Sequence, residues 1–192
     1  MGVTAIVLAA GQSRRMGAQK LLLPVDGVPM VQRTLDLIAA LPVSKRILVT
    51  VPEVAAVVRT EAEIVRNPAP ELGQSMSVRL GVLAAGESDS LLFFTADQPF
   101  LDVSTVSAIL AADDGESIVY PTDQSGQPKS PTLFAPRFRE ALLALTGDEG
   151  GRQIRRQFPV ACRAVQIADA WVLLDVDTPA EYERIKRGLW MG

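Results

Sequence analysis

Histidine is absent from the 192 residues, and cysteine occurs once, as Cys162. Without imidazole there is no Ser–His or Cys–His dyad, no His-ligated zinc and little scope for proton shuttling. Chemistry is left to carboxylates, lysine, arginine, hydroxyls and backbone amides. A single thiol excludes an internal disulfide and any Cys-cluster metal site, and suits a reducing compartment as well as a plain core position. Long apolar runs are missing too. The longest are strand-sized, such as Leu91 to Phe94, well short of the roughly 18 residues of a membrane span. The start of the chain enters a strand pattern directly, with no basic region or cleavage-like site, so a cytoplasmic protein without a signal peptide or membrane contact is expected. Basic residues are in deficit, 19 Lys and Arg against 22 Asp and Glu, and the net charge of -3 argues against a nucleic-acid partner.

What is present fits one globular domain over residues 1–192, since 48% of side chains are apolar and 21% charged. No linker, internal repeat or low-complexity tract divides it. Short apolar or β-branched runs (Thr4 to Leu8, Ile47 to Val51, Leu91 to Thr95, Ile118 to Tyr120) alternate with segments of helical period. The predicted helices are Met30 to Ala40, Glu53 to Ala62, Ser75 to Ala85 and Val103 to Ala112. A short strand near Thr132 to Phe134 follows, then helices near Pro136 to Leu145 and Gly150 to Gln157. Such alternation predicts an α/β fold with a mostly parallel sheet covered on both faces. A last helix is announced by Thr178-Pro179-Ala180-Glu181, which offers an N-cap hydroxyl, a first-turn proline and a capping-box glutamate. Asp175 and Asp177 are therefore expected on a strand-to-helix turn, where open parallel sheets gather ligands.

The first strand runs into Leu8-Ala9-Ala10-Gly11-Gln12-Ser13-Arg14-Arg15-Met16-Gly17-Ala18-Gln19-Lys20. Small residues let backbone amides approach an anion, and Arg14, Arg15 and Lys20 bring positive charge, which makes a triphosphate cradle. The spacing fits neither the P-loop nor the dinucleotide fingerprint; the plainer alternative is a glycine turn with solvated cations. Leu91 to Pro99 reads as a buried strand that delivers Asp97 at its carboxyl end, a suitable place for Mg²⁺, although such an aspartate more often caps a helix or forms an Asx-turn.

Taken together, LAAGQSRRMGAQKLLLPVDGVPM resembles the amino-terminal signature of the MobA-like nucleotidyltransferases, in particular their molybdenum cofactor cytidylyltransferase branch. The segment around Asp97 resembles the family's Gly-Asp-x-Pro motif with Ala96 in place of glycine, and Asp175 to Pro179 resembles its D-I-D-T-P segment. The resemblance implies a single-domain three-layer sandwich with a Rossmann-like sheet of the nucleotide-diphospho-sugar transferase type. It implies nucleotide binding by Leu8, Ala9, Ala10, Gly11, Gln12 and Ser13, with Arg15 and Lys20 neutralising the triphosphate. Asp97 and Asp175 become the Mg²⁺ ligands, Asp175 being favoured over Asp177, whose other reading is a charge at a helix N-terminus. Catalysis falls to Arg15, Lys20 and Asp97.

Asn67-Pro68 and Gly73-Gln74-Ser75-Met76-Ser77 resemble the nucleobase segment, which adds Asn67, Ser75 and Ser77 to the nucleotide site; a helix N-cap explains Ser75 as well. Pro128-Lys129-Ser130-Pro131 stands where the family has Gly-His-Pro, and Gly147 to Arg152 resembles G-D-x-G-A-R, so Lys129 and Arg152 are the acceptor-binding candidates. The implied reaction moves CMP from CTP to molybdenum-loaded molybdopterin, with handover to a molybdenum hydroxylase. CTP rests on Ala9-Ala10-Gly11, because the guanylyl branch tends to have Ala-Gly-Gly. The alternatives are GTP, a sugar-1-phosphate acceptor, or a non-catalytic accessory protein.

Overall fold

The computed structural model describes residues 2–11, 19–87 and 89–187. Its centre is β1 (Val3–Ala9), apolar apart from Thr4 and largely buried on both faces, as suits an interior parallel strand. β1 pairs in parallel with β4 (Lys45–Thr50) on one side and β6 (Ser90–Thr95) on the other. A small antiparallel hairpin, β2 (Pro24–Val25) with β3 (Val28–Pro29), lies outside the main sheet. β5 (Glu63–Arg66), β7 (Ile118–Thr122), β8 (Thr132–Phe134) and β9 (Cys162–Gln166) complete a seven-stranded sheet in the order β5-β4-β1-β6-β8-β7-β9. Among these strands only β8 runs antiparallel to its neighbours.

Alternate side chains of each strand feed different cores, as the two-residue period requires. Val7, Leu48 and Phe94 join Leu35 and Ile38 of α1 (Met30–Ala39) and Ile109 of α4 (Val103–Ala111). Ile6, Ile47 and Phe93 face the other way, toward α3 (Gln74–Ala84), α5 (Arg139–Leu143) and α6 (Gly151–Gln157). The result is the expected helix–sheet–helix sandwich. α3 lies so close to β1 that a Cβ on Gly81 would come 2.6 Å from Ile6 Cγ2. The closing helix α7 (Pro179–Lys186) has the full capping box, with Glu181 N donating to Thr178 Oγ1 and Thr178 N to Glu181 Oε2.

Four local expectations change. The helix expected from Glu53 to Ala62 is only the single turn α2 (Pro52–Ala55). Gln32 of α1 bonds both the backbone N and O of Arg59 at 2.9 Å, so a side chain satisfies groups that a longer helix would have paired internally. β5 and β9 lacked any strand signal because both are largely exposed edges without an alternating apolar face. The helix expected from Pro136 to Leu145 divides into a 3-10 turn, Pro136–Phe138, and α5. The run before Asp175 is not a strand. Asp169 accepts from Trp171 N at 3.0 Å and starts a 3-10 turn, Ala170–Leu173, which leads into extended chain.

Candidate active site

The chain leaves β1 at Ala10–Gly11 and β6 at Ala96–Asp97, at the carboxyl ends of adjacent parallel strands, where the sheet opens a crevice. Lys20 begins a 3-10 turn, Lys20–Leu22, and sends its ammonium back across this crevice. Lys20 Nζ lies 2.8 Å from Asp97 Oδ2 and 3.0 Å from Asp177 Oδ1. Burial by itself would pull the lysine's pKa down, but the Asp97 charge, with its hydrogen bond and the help of Asp177, outweighs this and raises it. Lys20 is thus a firmly charged cation, with a side chain only 13% exposed.

The second oxygen of this carboxylate, Asp97 Oδ1, is buried with no hydrogen-bond partner among the described residues. A buried carboxylate oxygen without a donor is costly, so the position asks for a cation. Asp175 stands beside it. Val176 N donates to the Asp97 carbonyl at 2.9 Å, and buried Gln98 donates through Nε2 to the Leu173 carbonyl at 3.2 Å, tying the segment from Leu173 to Val176 against the end of β6. Burial, and then the nearby Asp97 charge, raise the Asp175 pKa; Lys129 Nζ, 3.4 Å from Asp175 Oδ2, offsets this only in part.

Two crowded carboxylates with an unpartnered oxygen could hold a divalent ion such as Mg²⁺. Among the described residues no three acidic, histidine or cysteine side chains form a cage.

Two contiguous clefts meet here. One, of about 430 Å³, is lined by Leu8, Ala10, Gly11, Lys20, Ser77 and Asp97 among others. The second, of about 470 Å³, is lined by Lys129, Arg152, Arg155 and Asp175 together with the apolar Phe93 and Phe134. Leu8, Gln74, Thr95 and Asp148 border both.

Within this frame the nucleotide candidates separate. Ala9 is fully buried, its carbonyl accepting from Thr50 Oγ1. Asn67 Nδ2 donates to Ser77 Oγ at 2.9 Å and so braces the serine that borders the cleft. Ser75 is buried and borders neither cleft, and its backbone N donates to the Gly147 carbonyl. Nor does Ser75 cap α3, whose N-cap is Gly73. Gln12, Ser13, Arg14 and Arg15 lie outside the described residues.

The motifs did not indicate Asp148 as the divider between the clefts, Gln98 as a tether, or the Lys20–Asp177 contact. Asp148 carried a signal, since it lies in the Gly147 to Arg152 segment; Gln98 had none beyond its place next to Asp97.

Residues 5–162 match the family described as the MobA-like NTP transferase domain. The chain belongs to this family. As a MobA-like protein it is a nucleotidyltransferase. It is 31% identical to the purine catabolism protein PucB of Bacillus subtilis, the match covering 96% of each protein. It is 29% identical to a molybdenum cofactor guanylyltransferase of a Shewanella species (strain W3-18-1), over 95% of each. The MobA-like fold is seen again in the Rv0371c homologue from Mycobacterium sp. strain JC1, at 27% identity and TM-score 0.84, over 97% of this chain and 96% of that one. Mycobacterium tuberculosis Rv0371c in complex with manganese shares the fold at 23% identity and TM-score 0.81, over 97% and 98% of the two chains.

Proposed function

We propose that the enzyme transfers CMP from CTP to the phosphate of molybdenum-loaded molybdopterin and releases pyrophosphate. The observation that carries this reading is a pair of adjoining clefts that share Leu8, Gln74, Thr95 and Asp148, one bordered by Gly11, Lys20 and Asp97, the other by Lys129, Arg152 and Asp175. A donor triphosphate and a phosphorylated acceptor in those clefts would approach one another at the carboxylates.

An oxygen of the acceptor phosphate attacks the α-phosphorus of CTP; the new P–O bond forms as the bond to pyrophosphate breaks, and pyrophosphate leaves with the negative charge. Asp97 and Asp175 would hold Mg²⁺, which supplies charge neutralisation at the α-phosphate and the leaving group. Lys20, with Arg15, neutralises the triphosphate, exchanging carboxylate partners for phosphate oxygens. Leu8 to Ser13 surround the nucleotide, Asn67 and Ser77 serve the base side, and Ser75 supports them through the backbone. The attacking phosphate is already ionised at neutral pH, so the lack of histidine costs nothing. Positioning carries the rest of the rate.

The Ala9-Ala10-Gly11 run supports CTP, since the guanylyl branch tends to have Ala-Gly-Gly and one methyl group can block a purine; Ala10 borders the cleft assigned to the donor. GTP is the second reading, favoured by the full-length likeness to a guanylyltransferase. Handover of the product to a molybdenum hydroxylase is part of the same proposal. We place the reaction in the cytoplasm; among the described residues no helix is long and apolar enough to cross a membrane.

Pyrophosphate release with Mg²⁺ and each NTP in turn, with and without molybdenum-loaded molybdopterin, tests the proposal. Release is expected only with CTP and that acceptor, and Asp97→Ala should lower it by on the order of a hundredfold or more. Release that needs GTP, or another acceptor, would replace the respective half of the reading.

A further inference from the structure

Beyond the acceptor cleft, and sharing Pro128, Arg152 and Arg155 with it, lies a pocket of about 510 Å³ lined also by Tyr120, Gln127, Arg156, Pro159 and Cys162. Among the described residues three arginines border it and no carboxylate does. For a chain with net charge -3 this is a marked local excess of positive charge. Neither Asp97 nor Asp175 borders this pocket, so it lies on the side of the acceptor cleft away from the reacting carboxylates.

Arg155 occupies the junction. It is partly buried on α6, and none of the ion pairs among the described residues includes it. Its Nη1 donates to Thr132 Oγ1 at 2.9 Å, and the guanidinium stands 5.1 Å from the centroid of the Tyr120 ring. These two contacts orient the fork while engaging one of its five N–H donors. A preoriented, partly desolvated guanidinium with donors to spare and two like charges nearby is suited to an oxyanion. The ordinary reading, a solvated basic helix face, accounts for exposed Arg156 but not for Arg155, which is held over a ring in a pocket wall.

We propose that Arg155, with Arg152, binds a second anionic group of the acceptor, at the end remote from the attacking phosphate. The acceptor class is then a compound anionic at both ends, with a body that lies along Tyr120, Pro128 and Pro159. A second anion is preferred to the attacking phosphate itself, because further arginines on the nucleophile, beyond Lys129, would blunt it. This rests on the acceptor cleft assigned under the proposed function, but not on the identity of the nucleotide.

The test uses inorganic phosphate as probe and the full-length chain. In ¹H–¹⁵N spectra at constant ionic strength, amides of α6 should shift saturably with phosphate. Arg155→Gln should weaken the apparent affinity about tenfold or more, while Arg155→Lys keeps most of it. Lys20→Ala, on the donor side, should leave the α6 titration in place, and dispersed spectra report folding in each variant. In the pyrophosphate-release assay Arg155→Gln should raise the acceptor KM by about tenfold with the NTP KM little changed.

Equal phosphate titration of wild type and Arg155→Gln, or no saturable shift up to about 50 mM phosphate, overturns the anion site. An unchanged acceptor KM overturns its assignment to the acceptor. Loss of CTP-dependent release in the wild type, with the α6 titration intact, would instead overturn the proposed function and leave this site standing.

Discussion

Asp175 shows how a residue suited to holding an ion destabilises the protein that carries it. Its folded-state pKa is raised, first by burial and then by Asp97, above the ordinary value of 3.8. The folded state therefore holds the proton more tightly than the unfolded state does. The associated stability is fully present below the unfolded pKa and is lost as pH rises through the folded pKa. At neutral pH without metal the ionised carboxylate is a liability. Asp175→Asn should therefore melt higher than wild type at pH 7 in EDTA, with the gap closing as pH falls toward the ordinary carboxylate pKa. Mg²⁺ should raise the Tm of the wild type more than that of the variant. Calorimetry with and without Mg²⁺ checks both, and a lower Tm for the variant at pH 7 in EDTA would contradict the reading. Lys20 and Asp97 were visible in the motifs as separate residues. Their 2.8 Å contact, and the sharing of Lys20 with Asp177, were not, because they join positions 77 and 157 residues apart.

At the scale of elements, the start of α3 and the loop before α6 behave as one unit. Gly73 has φ +92°, and a Cβ there would sit 2.3 Å from the Gly147 carbonyl oxygen. Backbone atoms cannot move aside as a side chain can, so Gly73→Ala should cost about 2 kcal/mol or more, seen as a lower urea midpoint. The same change should raise the KM for the NTP by moving Gln74 and Asp148, which border both clefts. Thr178 serves α7 in a comparable way. Removing its hydroxyl in Thr178→Ala should cost about 1 kcal/mol by thermal unfolding and weaken Mg²⁺ binding, since the cap anchors the turn that follows Asp175. Unchanged metal affinity would separate the cap from the site. The capping box was legible because all its parts lie within four residues. The 3-10 turn Ala170–Leu173 was not, since the apolar run that suggested a strand is packed as an irregular segment against β6.

For the whole molecule, two clefts adjoin at Leu8, Gln74, Thr95 and Asp148, one holding Asp97 and the other Asp175, and the proposed function assigns nucleotide choice to the first of them alone. Ala10→Gly removes a single methyl group from the donor cleft. Discrimination by one such group is worth about 10–200-fold, so the GTP-to-CTP ratio of kcat/KM should rise by at least about tenfold. Competition assays with both nucleotides measure it; an unaltered ratio would move the origin of base choice to the Asn67–Ser77 side. By itself the sequence determined the α/β class and the buried strands β1, β4 and β6, and it singled out Lys20 and Asp97, which the fold brings together. These are written in contiguous apolar runs and short motifs, where local sterics and burial leave few alternatives. Only the tertiary structure decided that β5 and β9 are strands, that Asp177 pairs with Lys20, and that Arg155 stands where two pockets join. Edge pairing and contacts between distant segments depend on which surfaces the packed core brings together, and no local pattern records that.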